Sequence, residues 1–178
     1  MSMVFKEPSG EYAEQIRAYR QEFLDAGDSM DGTCRLESFE DPEKWIDYVA
    51  SHADASTMPE GHVTSTLYMY IREEDNKIVG MIDIRHYLND YLEKYGGHIG
   101  YSVAPSERRK GYASEMLKAI LVKCGQRGIG RVLITCDSDN EGSRRTILKN
   151  GGVYDSSVFE PDEKVVLERY FIDVKKFD

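Results

Sequence analysis

An α/β domain, with a mixed, mostly antiparallel central sheet of six to seven strands and about four helices, is predicted by three observations. Apolar residues recur at helical spacing in several stretches. Short β-branched and aromatic runs bounded by turn residues occupy others. One strand, helix and strand succession crosses the middle of the chain, and such a unit forms a right-handed parallel crossover.

Taken in order, Tyr12, Ile16, Tyr19 and Phe23 lie at intervals of four, three and four, which predicts a helix over about 11–26 with one buried face. Residues 27–40, with Gly27, Gly32 and several acids, read as a loop. Asp41 followed by Pro42 is an N-cap with proline in the first helical position, so a second helix starts there and buries Trp45 and Val49. Residues 65–71 and 77–85, separated by the turn-like Glu73-Glu-Asp-Asn76, predict an antiparallel hairpin. A connection over 87–97 leads to a strand at 98–103.

Ala113, Met116, Leu117, Ile120, Leu121 and Cys124 mark the inner face of a third helix, which ends near the glycines at 125 and 128. Val132-Leu-Ile-Thr-Cys136 is short and apolar throughout, as expected of a strand buried on both faces. A short helix over 141–149 begins at N-cap candidates in 137–140 and stops at Asn150-Gly151-Gly152. Two strands, about 153–159 and 164–174, should close the sheet beside 132–136.

The 178 residues fit one domain, and 40% hydrophobic composition suffices for a core without staples. A net charge of −9, from 23 basic and 32 acidic residues, argues against a nucleic-acid partner and suits an amine-bearing one. Cys34, Cys124 and Cys136 suggest neither a disulfide framework nor a metal site, and read as reduced thiols with Cys124 and Cys136 in the core. No hydrophobic leader and no run of about 18 apolar residues occurs, so no membrane partner is expected and the location expected is cytoplasmic.

Chemistry is concentrated at Arg108-Arg-Lys-Gly-Tyr-Ala113, between a strand and a helix start. The first turn of a helix leaves N–H groups without partners, and its dipole adds partial positive charge, so an anion is stabilised there. Three cations in that position conflict with the dipole unless an anion is bound; a solvated basic turn is the plainer explanation of the same residues. Neither a Gly-x-x-x-x-Gly-Lys-Ser/Thr loop nor a Gly-x-Gly-x-x-Gly pattern is present, which disfavours other nucleotide-phosphate folds.

Val103-Ala-Pro-Ser-Glu-Arg-Arg-Lys-Gly-Tyr-Ala113 resembles the acetyl-CoA signature of the GNAT N-acetyltransferase superfamily: Arg or Gln, two residues, Gly, one residue, then Gly or Ala. Arg108, Gly111 and Ala113 fall on those positions. Ile99-Gly-Tyr-Ser-Val-Ala-Pro105 upstream, the helix downstream, and Asn140, Ser143 and Lys149-Asn-Gly151 at the next motif support it. The resemblance covers residues 63–174 as an acetyl-CoA-binding core, with 1–62 as a variable helical acceptor-side region of the same domain. It implies a GNAT fold whose central parallel strand pair splays to hold acetyl-CoA.

The resemblance also implies roles. Tyr101, Val103, Arg108, Arg109, Lys110, Gly111, Tyr112, Ala113, Asn140 and Ser143 would contact the cosubstrate, with backbone N–H groups of 109–113 on its pyrophosphate and cationic side chains attracting its phosphates. The Val103 N–H would face the thioester carbonyl as an oxyanion donor. Two departures stand out: the tyrosine that commonly serves as general acid falls at Ile147, and the bulky aromatic after the glycine is Gly152. Tyr154 is a substitute acid, unless the thiolate needs none. His98 and Asp83 are alternative bases, each also readable as structural. His52 and His62 read as surface or loop residues.

The acids at Asp28, Asp31, Glu37 and Glu40 lack the alternating spacing of a calcium loop, and no metal is expected. As a solvated acidic loop over the acceptor site they would favour cationic amines. The function expected is acetyl-CoA-dependent N-acetyl transfer to a primary amine of a small molecule or protein; a CoA-binding sensor or structural module without chemistry is the alternative. The acceptor's identity is not legible, and a homodimer stays open.

Overall fold

The computed structural model describes residues 1–177, which divide into two compact units: 1–83 with 100–113, and 84–99 with the described residues from 114 onward. Two antiparallel sheets hold seven strands. The first has the order β1 (Met3–Lys6), β2 (Ser65–Arg72), β3 (Lys77–Arg85), β4 (Ile99–Val103), and the second the order β5 (Arg131–Asp137), β7 (Val165–Asp173), β6 (Val153–Glu160). The helices are α1 (Ala13–Ala26), α2 (Pro42–Ser51), α3 (Tyr112–Gln126) and α4 (Glu141–Lys149).

In the first unit, the helical spacing of Tyr12, Ile16, Tyr19 and Phe23 becomes a fully buried stripe. It packs with Trp45 and with Leu67, Met69, Ile71, Ile78 and Met81 from β2 and β3. Val49, expected inside, is only partly buried at the rim of that cluster. Helix α2 starts as its residues dictate: the Asp41 side chain accepts the Glu43 N–H at 3.0 Å, and Pro42 needs no partner there. The Trp45 indole N–H donates to the Thr33 carbonyl at 2.8 Å, which ties the α1–α2 loop to the core. That loop passes against β4 so closely that a Cβ on Gly32 would stand 2.3 Å from the Gly100 carbonyl carbon. Strand β1 escaped the sequence reading because four residues ending before Pro8 carry no period of their own; its pairing with β2, Met3 opposite Arg72 through Lys6 opposite Met69, is what makes it a strand.

In the second unit, β5 pairs with β7 along its length and is buried on both faces through Val132, Leu133, Ile134 and Cys136. Burial pushes the Cys124 thiol up to about 12 and the Cys136 thiol up to about 11, so both are inert core residues. The register of β6 on β7 shifts between Tyr154 and Ser156, a bulge that places Tyr154 and Ser157 on one face. The sequence reading treats the sheet as continuous. In the structure β4 ends one sheet and β5 the other. Contact with β5 just before β4 comes through a bridge between Gly97 and Ile134 and the His98 N–H donating to the Leu133 carbonyl at 2.7 Å.

Candidate functional site

Strand β4 presents one edge to β3. The Arg85 N–H donates to the His98 carbonyl at 2.7 Å and the Ala104 N–H to the Val79 carbonyl at 2.9 Å, two bonds of one antiparallel register. In such a ladder a residue directs both backbone groups to its neighbour or neither, alternating along the strand. His98 and Ala104 face β3; Tyr101 and Val103 direct theirs away from it. The outward Val103 carbonyl accepts Arg108 Nε–H at 3.3 Å.

From Val103 the chain makes a helical turn at Pro105–Glu107 and reaches the basic segment. Arg109 has φ +62° and Gly111 φ +91°, with Lys110 between them at negative φ. Successive residues of alternating hand turn their N–H groups toward one concavity, which is how a short backbone segment forms an anion nest. Among the described residues the N–H groups of Arg109, Lys110 and Gly111 donate to no acceptor. Helix α3 begins at the next residue, Tyr112, and its first turn adds N–H groups that have no intrahelical acceptor.

Glu107 holds this turn in place. It is buried, its carboxylate takes a two-pronged contact from Arg72 at 2.9 and 3.1 Å, and Lys77 and Lys110 approach at 3.1 and 2.8 Å. The Arg72 contact, joined by Lys110 and Lys77 and opposed by burial, holds its carboxyl down at about 2. Glu22 adds a second strut, accepting the Ser106 N–H at 2.6 Å. Sequence reasoning missed both acids. The Glu107 to Lys110 spacing was the one local signal, and nothing in the sequence pairs Glu107 with Arg72.

The cations of the turn are not equivalent in their surroundings. Arg108 Nη1 lies 2.6 Å from Asp28 Oδ2, and its guanidinium sits 5.7 Å from the Phe23 ring. Lys110 is held by Glu107. Arg109 is exposed with no side-chain partner among the described residues. The Tyr112 ring is buried, with its hydroxyl 3.4 Å from Arg72, which leaves its backbone as the part available to a ligand.

Asp83 also lies in the first unit, buried, with Oδ1 accepting the Gly100 N–H at 3.2 Å. In the second unit His98 Nδ1 accepts the Leu133 N–H at 2.9 Å, so the neutral ring carries its proton on Nε2. Burial, with a smaller effect from Arg85, holds the His98 pKa below its usual value. Protonating Nδ1 would break the Leu133 bond. Asn140 caps α4, its side chain accepting the Ser143 N–H at 3.0 Å. Tyr154 is 53% exposed on β6, its hydroxyl 2.8 Å from Ser157 Oγ. Ile147 is fully buried.

His52 corrects the sequence reading: it is 4% exposed, not a surface residue. Its Nδ1–H donates to the Tyr48 carbonyl at 2.9 Å, which leaves Nε2 to accept from His62 Nδ1 at 2.9 Å. The pair fastens the end of α2 to the following loop.

Among the described residues no group of three or more His, Cys, Asp or Glu could hold a metal ion, and no helix is long and apolar enough to cross a membrane. No curated protein sequence is significantly similar to the chain. Solved structures share its fold at low identity. The ribosomal-protein-S5-alanine acetyltransferase from Vibrio fischeri is 14% identical, with TM-score 0.75, over 100% of this chain and 96% of that one. RimL, a ribosomal alpha-N-protein acetyltransferase solved with coenzyme A, is 14% identical, with TM-score 0.72, over 100% and 97%. The microcin C7 self-immunity acetyltransferase MccE, solved with acetyl-CoA and AMP, is 15% identical, with TM-score 0.69, over 96% and 92%. The sequence model of the acetyltransferase (GNAT) family matches residues 24–151.

Proposed function

The chain belongs to that acetyltransferase (GNAT) family, and from this premise we propose that it transfers an acetyl group from acetyl-CoA to a primary amine by direct attack on the thioester. The observation that carries the reading is the nest at 109–111, whose N–H groups meet no acceptor among the described residues and which follows, after one helical turn, a strand end directed away from β3 at Val103.

Each part has a chemical task. The N–H groups from Arg109 to Ala113 bind the pyrophosphate, while the outward backbone of Tyr101 and Val103 takes the amides of the pantetheine arm. The acceptor nitrogen attacks the thioester carbon, and the Val103 N–H stabilises the oxyanion, a contribution of about 3 kcal/mol where single donors of this kind have been removed. The C–S bond then breaks, the thiolate departs, and the second proton that the nitrogen sheds in becoming an amide passes to the thiolate or to water. A thiolate is a good enough leaving group to need no dedicated acid, consistent with Ile147 in place of the usual tyrosine.

Most amines reach the site protonated, so a base must take one proton. Asp83 suits this better than His98, because a carboxylate can take a proton without giving up the Gly100 N–H it accepts, whereas His98 must surrender its bond from Leu133. The acceptor is a primary amine of a protein or small molecule, and cationic amines are favoured by the acids of the α1–α2 loop.

The test mixes protein, acetyl-CoA and a varied amine panel and follows free thiol. Release with at least one amine is expected, with Gly111→Asp abolishing it and Arg108→Ala weakening it. Measurable CoA binding without release for any amine would favour a binding module that keeps the nest but lacks the chemistry, the reading that Ile147 supports. Asp83→Asn should lower kcat by about a hundredfold or more if Asp83 is the base.

A further inference from the structure

Strand β6 is the outer strand of the second sheet, paired with β7 and with no other strand. The ladder decides which of its backbone groups face outward. The Ser138 N–H donates to the Val166 carbonyl at 2.8 Å, so Val166 directs its backbone groups away from β6. Residues directly opposite in an antiparallel pair exchange both bonds or neither, alternating along the strand. Phe159 stands opposite Val166 and Ser157 opposite Glu168, so Phe159 and Ser157 turn their N–H and C=O groups toward the open edge. Among the described residues neither N–H meets an acceptor.

An edge of eight residues is a template for further pairing unless charge, proline or a bulge blocks it. The bulge of β6 ends before Ser157. Both acids of the strand are withdrawn from the edge: Asp155 is met by Arg169 at 2.6 Å, and Glu160 is 2% exposed.

The two faces beside this edge differ. On the face shared by Ser157 and Phe159, the side chains of Tyr154, Phe159 and Val166 are exposed. On the other, Ser156 and Val158 border a hollow of about 430 Å³, closed by Arg169 and by Asp90, Glu93 and Lys94 of the segment before β4. Arg169 is already taken by Asp155 and the Glu93 carbonyl. Asp90 and Glu93 pair with no cation among the described residues. Glu160, on the same face as Ser156 and Val158, keeps its buried Oε1 without a partner. The hollow is therefore short of positive charge.

We propose that the β6 edge docks an extended, basic peptide segment of a partner protein, which joins the sheet as a further antiparallel strand. Residues of that segment that turn their backbone to β6 carry their side chains beside Tyr154 and Phe159, and are apolar. The alternate residues reach the hollow and are lysine or arginine. A second copy of the chain fits less well, because two-fold pairing of β6 sets Asp90, Glu93 and Glu160 of both copies on one face, like charges together.

Fluorescence anisotropy of the full chain with a labelled peptide of alternating lysine and valine, read without acetyl-CoA, tests it. Binding is expected, and a peptide of alternating glutamate and valine should bind about tenfold more weakly or worse. Methylating the valine backbone nitrogens, which face β6, should raise Kd about tenfold, the scale of a lost hydrogen bond. Methylating the lysine backbone nitrogens, which face away, should leave Kd unchanged. Asp90→Asn and Glu93→Gln should each raise Kd about threefold at low salt, with the loss shrinking as salt is added and Tm unchanged. Equal losses from the two methylations would overturn the proposal, as would equal affinity for the glutamate peptide or no binding of the lysine peptide. A dimer in sedimentation that excludes the peptide would assign the edge to a second copy and overturn it too.

Discussion

Gly152 rests directly on Ile147: a Cβ at residue 152 would stand 2.4 Å from Ile147 Cγ2, and the Gly152 N–H donates to the Ile147 carbonyl at 2.9 Å. The two departures of this chain from its family's pattern are therefore one packing relationship. A fully buried isoleucine occupies the space, and only a residue without a side chain can follow it so closely.

Gly152→Ala should destabilise the protein by about 1–3 kcal/mol in urea unfolding, the cost of overpacking. Ile147→Ala alone should cost about 2–5 kcal/mol through the cavity it leaves. Combined, the two should cost less than their sum, because the alanine methyl at 152 enters the space vacated at 147. Ile147→Tyr, which restores the family's hydroxyl, should destabilise rather than activate.

Glu107 makes acid stability a local property of the basic turn at 108–111. Its carboxyl is held at about 2 instead of the usual 4.5, so its contribution is fully present above pH 4.5 and is lost as pH falls from there toward 2. Glu107→Gln should flatten that limb of the stability curve. At neutral pH it should cost about 3 kcal/mol, because Arg72 and the two lysines lose a buried counter-ion.

His98 acts in the opposite half of the scale. Its folded pKa lies below 6.5, so the neutral ring stabilises the fold above pH 6.5 and this stabilisation declines as pH falls below it. His98→Ala should remove that dependence and cost about 1–3 kcal/mol by leaving the Leu133 N–H without its acceptor. Chemical unfolding at about pH 5.5 and about pH 7.5, roughly one unit below and above the usual histidine value, reads both effects.

Asn140→Ala should cost about 1 kcal/mol, the loss of an N-cap, while Asn140→Ser should recover most of it. Urea unfolding of the two variants measures the capping contribution apart from any effect on catalysis.

Much of the fold was legible because its signals are local. Helices α1 and α4 and the β2–β3 hairpin announce themselves by period, caps and turn residues within a few positions. Strand β1 and the division into two sheets were not legible, since a four-residue strand and a sheet edge are defined by what lies beside them. The candidate site shows the same split. Arg108, Gly111 and Ala113 could be found by spacing, but Asp28 and Glu107 could not, because their partners are 80 and 35 positions away, as in Asp28–Arg108 and Arg72–Glu107.

The sequence alone determined that this chain carries a basic, glycine-containing turn between a strand and a helix, since the turn's glycine and helix start are properties of neighbouring residues. Only the tertiary structure decided which of its three cations is free. Charge at a protein surface is set by the nearest opposite charge, and for Arg108 and Lys110 that charge is supplied by acids whose positions depend on the folded core.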